Sequence, residues 1–376
     1  MVMLLLSAVM KAAPDVGCPD AASESASVGT AAEGLTEGFN PGTVIIGHVT
    51  DAHSWHLFDY YGRDGQEHSV AVPLPVIVIG DGGMDVFLSS RFEHGHADYK
   101  GYRLVGGGLE REEIICVDAE GNPRLDAAGD VIRPLDLSIT KVSAAVMIVS
   151  LLLIVLVMVA KRGCRRREGK APKGMQSLVE LLVCFVRDSI VMPMIGEQHC
   201  QKYLPYMLTL FCFIFLSNCM GLVPFFPGGA NVTGNIAVTG VLAVITFLIT
   251  NISGNKHYWT DIFNTPGVPA WLKIFPLMPV VELVGVVTKP VVLMIRLFAN
   301  MTAGHIVVLA FVVIIFIFSN TISMGVGAGV SVLSVFFSVF ISVLECLVAY
   351  IQAFVFTMLS SLYVGMAVQQ PHHSRS

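Results

Sequence analysis

Seven polar or charged residues sit inside the last two long apolar runs: Glu282, Lys289, Arg296, Asn300, His305, Glu345 and Gln352. An ionisable group at the centre of a bilayer helix costs roughly 2.5–3.5 kcal/mol even on the mildest insertion scale, so it marks function and needs a partner or a watery cavity. Steps of seven separate Glu282, Lys289 and Arg296, and Asn300 follows four later. At about 100° per residue these share one helical stripe, whereas His305, nine beyond Arg296, falls on the opposite face. Glu345 and Gln352, seven apart, share a face of the next helix. Consecutive spans run antiparallel. With Gln352 level with Arg296, His305 lies about 13.5 Å and Glu345 about 10.5 Å toward the same membrane side. An imidazole and a carboxylate at one depth suit a proton relay, since both titrate within reach of neutral pH when partly buried. The plain structural alternative is a core histidine bonded to a carbonyl and neutralised by Glu345. Arg296 does not give up its proton, and Glu282, the acid on its stripe, is about 21 Å away along the axis. Such a cation is either a structural counter-ion or suited to a carboxylate carried by another chain. Lys289 reads equally well as an interface charge that snorkels.

The elements that must hold these residues follow from composition. Of 376 residues, 54% are hydrophobic and 14% charged, against roughly a quarter charged in soluble domains. Apolar spans are predicted near 142–160, 203–225, 235–252, 280–319 and 328–368. The last two run to about 40 residues, twice the need of one crossing. Neither has a clustered Gly/Pro turn near its middle, so each is read as one long, tilted helix, with Pro290 and Gly304 as kink positions. Residues 175–195 alternate Leu178, Leu181, Leu182 and Phe185 with Glu180, Arg187 and Asp188, as an interfacial helix does. Lys161, Arg162, Arg165, Arg166, Arg167, Lys170 and Lys173 crowd the loop after the first span. Their place beside a span favours the positive-inside rule over nucleic-acid binding, and makes that loop cytoplasmic. Five crossings then put the N-terminus outside and the C-terminus in the cytoplasm. The fold class is an all-α polytopic membrane protein of five transmembrane helices with a small strand-containing N-terminal domain; residues 137–376 form the membrane domain.

Residues 1–42 read as a leader or disordered segment. Met1–Met10 has the length of a signal-peptide core, but no basic segment leads it. Residues 14–42 are rich in Ala, Ser, Gly and Asp and are expected to be disordered. Residues 43–136 read as a small extracytoplasmic domain. Ser69–Gly80 is predicted as a strand kept at a sheet edge by Pro73 and Pro75. Met84–Ser89, Tyr102–Val105, Arg111–Val117 and Asp130–Ile132 are further strand candidates, and Ala119–Pro123 a turn. His48, Asp51, His53, His56, His94 and His96 invite a metal reading, but their spacing fits no template. A surface domain with several histidines is the plain reading, and no metal or cofactor is expected. The eight cysteines form no CxxC pair, and no spacing rule supports a Cys18–Cys116 disulfide.

The run from Lys289 to His305, with Arg296-Leu-Phe-x-Asn300-Met-x-x-Gly304 at its core, resembles the signature of the a subunit of F-type ATP synthase. Gln352-Ala-Phe-Val-Phe resembles that family's final-helix motif, and Phe215-Leu-Ser-Asn-Cys-Met-Gly-Leu-Val-Pro224 its second-span motif. The resemblance covers roughly residues 140–370. It implies a bacterial plasma-membrane stator that faces a rotating c-ring, joined by peripheral-stalk b subunits and the rest of the complex. Two offset aqueous half-channels would reach the ring carboxylate from opposite sides. Arg296 matches the arginine that separates them, and Asn300 and Gln352 match positions lining the ring contact. His305 and Glu345 match the outer-channel pair, in inverted order. Glu282 matches an inner-channel acid, and Asn218 a polar outer-channel position. Some members carry an acid three residues after this asparagine, where Gly221 stands here. The N-terminal domain departs from the family's short leaders.

No GxxxxGK[ST] loop occurs, so the chain is read as non-catalytic, with protons as its only small-molecule substrate and ATP chemistry elsewhere. The alternative is a stand-alone ion-coupled transporter. That would show repeated halves with broken helices, which the sequence lacks. A membrane enzyme using His305 and Glu345 would need a nucleophile or metal nearby, and none is apparent.

Overall fold

The computed structural model describes residues 50–61, 67–80, 83–95, 97–107, 110–118, 120–126, 129–166, 174–223, 228–263, 277–321 and 324–368. The reading of 1–42 therefore lies outside the described residues, as do Cys18, His48 and His96. Two compact units emerge: residues 1–145, 224–226 and 303–343, and residues 146–223, 227–302 and 344–376.

Among the described residues, the strands lie before the first span. β1 (Ser54–Tyr61) pairs with β2 (Glu67–Pro73), and β5 (Tyr102–Gly107) with β6 (Glu110–Cys116). β3 (Pro75–Gly80) lies between β4 (Gly83–Leu88) and β7 (Leu135–Asp136). This corrects the expectation of one edge strand over Ser69–Gly80. The run breaks at Leu74, and β3 is the central strand of its sheet. Pro73 and Pro75 fall at strand ends, where a missing N–H costs no interior ladder bond. The Asp130–Ile132 candidate is no more than an isolated bridge between Leu125 and Val131, whereas the turn near Gly121 forms, closed by Gly121 N donating to Asp118 O. Val76, Val78 and Phe92 are fully buried and meet Tyr102, Ile114 and Cys116 in the domain core.

His53 is the domain's buried ion-pair centre rather than a surface group. Only 4% exposed, it has Nε2 3.0 Å from Asp136 Oδ2 and Nδ1 3.4 Å from Glu112 Oε2. Its own backbone N–H donates to Glu112 Oε2 at 2.7 Å. Burial alone lowers the imidazole pKa, but the hydrogen bonds to Asp136 and Glu112 outweigh it and push the value up to about 9. Among the described residues, no three His, Cys, Asp or Glu side chains group as metal ligands do.

The described residues beyond 140 are mostly helical. α1 (Lys141–Arg166) takes the first basic residues into its last turns, where cations suit the helix dipole. α2 (Met175–Phe185) passes through a π segment, Val186–Val191, into α3 (Met192–Ile195), and Gly196, at φ 86°, separates it from α4 (Glu197–Leu222). α4 starts before the expected 203 because the polar turn from Glu197 to Lys202 is also helical. α5 (Ile236–Ser253) is capped by Asn235, whose side chain accepts from Ala237 N at 2.9 Å. The short α6 (Lys256–Phe263) follows. α7 (Leu277–Thr321) and α8 (Met324–Val368) are each 45 residues without interruption, or about 68 Å at 1.5 Å per residue. Among the described residues, four segments are long and apolar enough to cross a membrane: Lys141–Arg165, Glu197–Leu222, Ile236–Ser253 and Ser334–Val368.

The second unit packs Val186, Ile190, Tyr203, Met207, Phe211 and Leu297 into one core with α8. On α8, Ala349, Ala353, Thr357, Ser361 and Gly365 recur every four residues and are all buried. Small residues on such a ridge let helix backbones approach closely. At Gly365 the approach is closest, because an added Cβ would collide with the carbonyl oxygen of Met194.

Candidate proton-path site

α7 buries Leu293, Leu297 and Met301 at four-residue steps. Arg296 and Asn300 stand one residue before the latter two and are exposed, as are Val292, Ile295 and Ala299. One residue turns the helix by about 100°. α7 thus presents a guanidinium and a carboxamide, one turn apart, at the margin of an outward apolar face. None of the ion pairs among the described residues includes Arg296.

Glu282 and Lys289, further back on the stripe, are half-buried. Lys289 does not simply snorkel: its Nζ lies 5.5 Å over the Tyr363 ring. Lys289, Tyr363, Thr250 and Asn251 border a chamber of about 20 Å³, enough for one water. The Oδ1 of Asn251 is buried without a hydrogen-bond partner.

On α8, Gln352 is 5% exposed between Ala349 and Ala353, and Glu345, two turns earlier, is half-buried. His305 is half-buried on α7. The second unit holds Asn218, Glu282, Arg296, Asn300, Glu345 and Gln352; the first holds His305.

Asn218 is fully buried on α4. Its Oδ1 accepts from Thr233 Oγ1 at 2.6 Å, and its Nδ2 donates to Ala349 O at 3.4 Å. One amide thus joins α4, the turn before α5, and α8 one turn before Gln352. The sequence singles out Asn218 but not Thr233, the partner that the structure gives it. The available signal was the polar run Asn231-Val-Thr-Gly-Asn235 between two spans. That run is buried: Asn231 is 3% exposed and Val232 and Thr233 not at all. Gly221, on the next turn of α4, would set a Cβ 3.1 Å from Met301 Cε. The space beside Gly221 is therefore filled by a methionine of α7.

Residues 144–365 match the family described as ATP synthase A chain. The chain belongs to this family. The ATP synthase subunit a of Pelodictyon phaeoclathratiforme is 38% identical over 286 residues, covering 74% of this chain and 80% of the relative. The ATP synthase subunit a 2 of Chlorobium luteolum is 37% identical over 310 residues, covering 80% and 86%. That match is longer than residues 144–376 can supply, so it reaches into the N-terminal domain. The ATP synthase subunit a of Myxococcus xanthus is 39% identical over 260 residues, covering 67% and 81%. Residues 44–137 separately match a domain of unknown function (DUF8433). Family membership makes the chain a non-catalytic, proton-translocating, multi-pass subunit of the ATP synthase membrane sector, partnered with the c-ring and the rest of the complex.

Proposed function

We propose that Arg296 is a fixed cationic barrier between two offset half-channels that lead to the ring carboxylate. The observation that carries this reading is its exposure on α7 without an ion pair among the described residues, backed by the buried Leu293 and Leu297. A carboxylate borne by a moving neighbour meets a cation there that cannot itself deprotonate. Each ring carboxylate must then lose its proton before it passes, so protons cross by way of ring rotation rather than by a direct leak. Asn300 and Gln352 line the contact, His305 and Glu345 carry protons on one side, and Glu282 serves the other. Asn218 supports this geometry by holding the α8 backbone beside Gln352. In this reading the chain crosses a bacterial plasma membrane five times, with its N-terminus outside, its C-terminus in the cytoplasm, and peripheral-stalk b subunits beside it.

The test is Arg296→Ala in the assembled complex. Assembly with loss of ATP-driven proton pumping is expected; retained coupled pumping overturns the barrier. The chain alone, in liposomes, is expected to move no ion against a gradient, which separates it from a stand-alone transporter.

A further inference from the structure

β4 turns Met84, Val86 and Leu88 to one side of its sheet, exposed by 67%, 56% and 49%. Facing them across the register in β3 are Ile79, Ile77 and Pro75. The strand that leads out of the domain extends the pattern. Leu135 pairs with Ile79, Leu137 N donates to Ile77 O at 2.8 Å, and Ile139 N to Pro75 O at 3.1 Å. The face is thus a three-by-three array in which every position is apolar; Met84, Val86, Leu88, Ile79 and Leu135 are exposed, and Pro75, Ile77, Leu137 and Ile139 are half-buried. The opposite face already belongs to the domain core, where Val76 and Val78 are fully buried. An antiparallel sheet with one face in water normally alternates apolar and polar residues. A contiguous exposed apolar face signals a contact.

Chain continuity identifies what covers it. The array ends at Ile139, and α1 starts at Lys141, with Thr140 alone between them. α1 is a membrane span with mean hydropathy 3.1. Its head is fastened to the domain: Lys141 N donates to Ala52 O at 2.9 Å, and Val142 N to Asp51 Oδ1 at 3.1 Å. Ile139 and Val142 are three residues apart, so the row of Leu88, Pro75 and Ile139 starts within about 10 Å of chain from the first apolar residue of the span. A protein partner would ordinarily also find hydrogen-bonding groups, about one per 100–200 Å², and this face offers no polar side chain. Hydrocarbon asks for none.

We propose that this sheet face is a lipid-docking surface, seated on the acyl chains of the leaflet that receives Val142. The domain then rests against the bilayer, with Asp136, which alternates with Leu135 along β7, on the opposite face of the sheet. The test uses the assembled ATP synthase in its own membranes, with a photoreactive benzophenone residue replacing Val86 and, as a control, the exposed Asn122. Adducts of phospholipid mass at position 86 and not at 122 are expected. Cross-links from position 86 to another subunit or to a second copy overturn the proposal. So does reaction of Val86→Cys with a membrane-impermeant maleimide as fast as Asn122→Cys. Should variants at 86 fail to assemble, Met84 and Leu88 give the same readouts.

Discussion

Thr233 Oγ1 donates to Asn218 Oδ1 across 2.6 Å, and the other end of the same amide reaches the carbonyl oxygen of Ala349. Leaving one buried partner unpaired costs about 1–3 kcal/mol. Asn218→Ala is expected to destabilise the complex by that order and to weaken pumping by loosening α8 beside Gln352. Thr233→Val should do much of the same, and the double variant should lose less than the sum of the two. Melting curves of the purified complex check this; strict additivity would break the link between the two residues.

Exchanging His305 and Glu345 is expected to preserve more ATP-driven pumping than alanine at either position. The exchange keeps one imidazole and one carboxylate in the pair. Proton-pumping assays on inverted vesicles decide it, and equal loss from exchange and truncation would argue against a relay.

Gly221→Ala should be mild, since the group it meets is the mobile end of Met301. Gly221→Asp is different: it places a carboxylate at a buried site without a partner, at a cost of about 3–5 kcal/mol. Assembly of Gly221→Asp should fall sharply, and Met301→Ala should restore part of it by making room for water. Subunit content of isolated membranes measures both.

The His53 clamp gives a pH dependence with a definite sign. Its pKa is about 9 folded and about 6.5 unfolded. The raised folded value means that the stabilisation is fully present below pH 6.5 and is lost as pH rises through 9. The linked free energy is on the order of 3 kcal/mol. Hydrogen exchange in residues 51–55 and 135–142, corrected for intrinsic rates, should accelerate between those pH values. His53→Leu should be less protected at pH 6 and lose that dependence.

The membrane half was legible because a run such as Val142–Ala160 has few physical explanations, and because the missing mid-run turn of residues 280–319 left one long helix as the simplest reading. Steps of seven from Glu282 through Lys289 to Arg296, and of four on to Asn300, mark a common stripe in the sequence itself. Tertiary pairings were not legible. Nothing local marks Thr233 as the partner of Asn218, 15 residues away across a turn, or Tyr363 as the ring beneath Lys289. The same holds in the small domain. Pro73 and Pro75 argued for a sheet edge, but the run breaks at Leu74, and the central place of β3 depends on Leu135 and Asp136 returning from more than 50 residues downstream. His53 looked like one histidine among six because its two carboxylates arrive from distant strands.

Pro290, inside α7, has a mechanical consequence. A helix of 45 residues whose backbone bonds are all made is a stiff rod, and a load applied at one point is shared along it. Pro290 cannot donate to the carbonyl four residues back, so the rod has a built-in point of lower bending stiffness about 9 Å along the axis from Arg296. A sideways load on α7 would bend it there first, next to the contact of Lys289 with the Tyr363 ring.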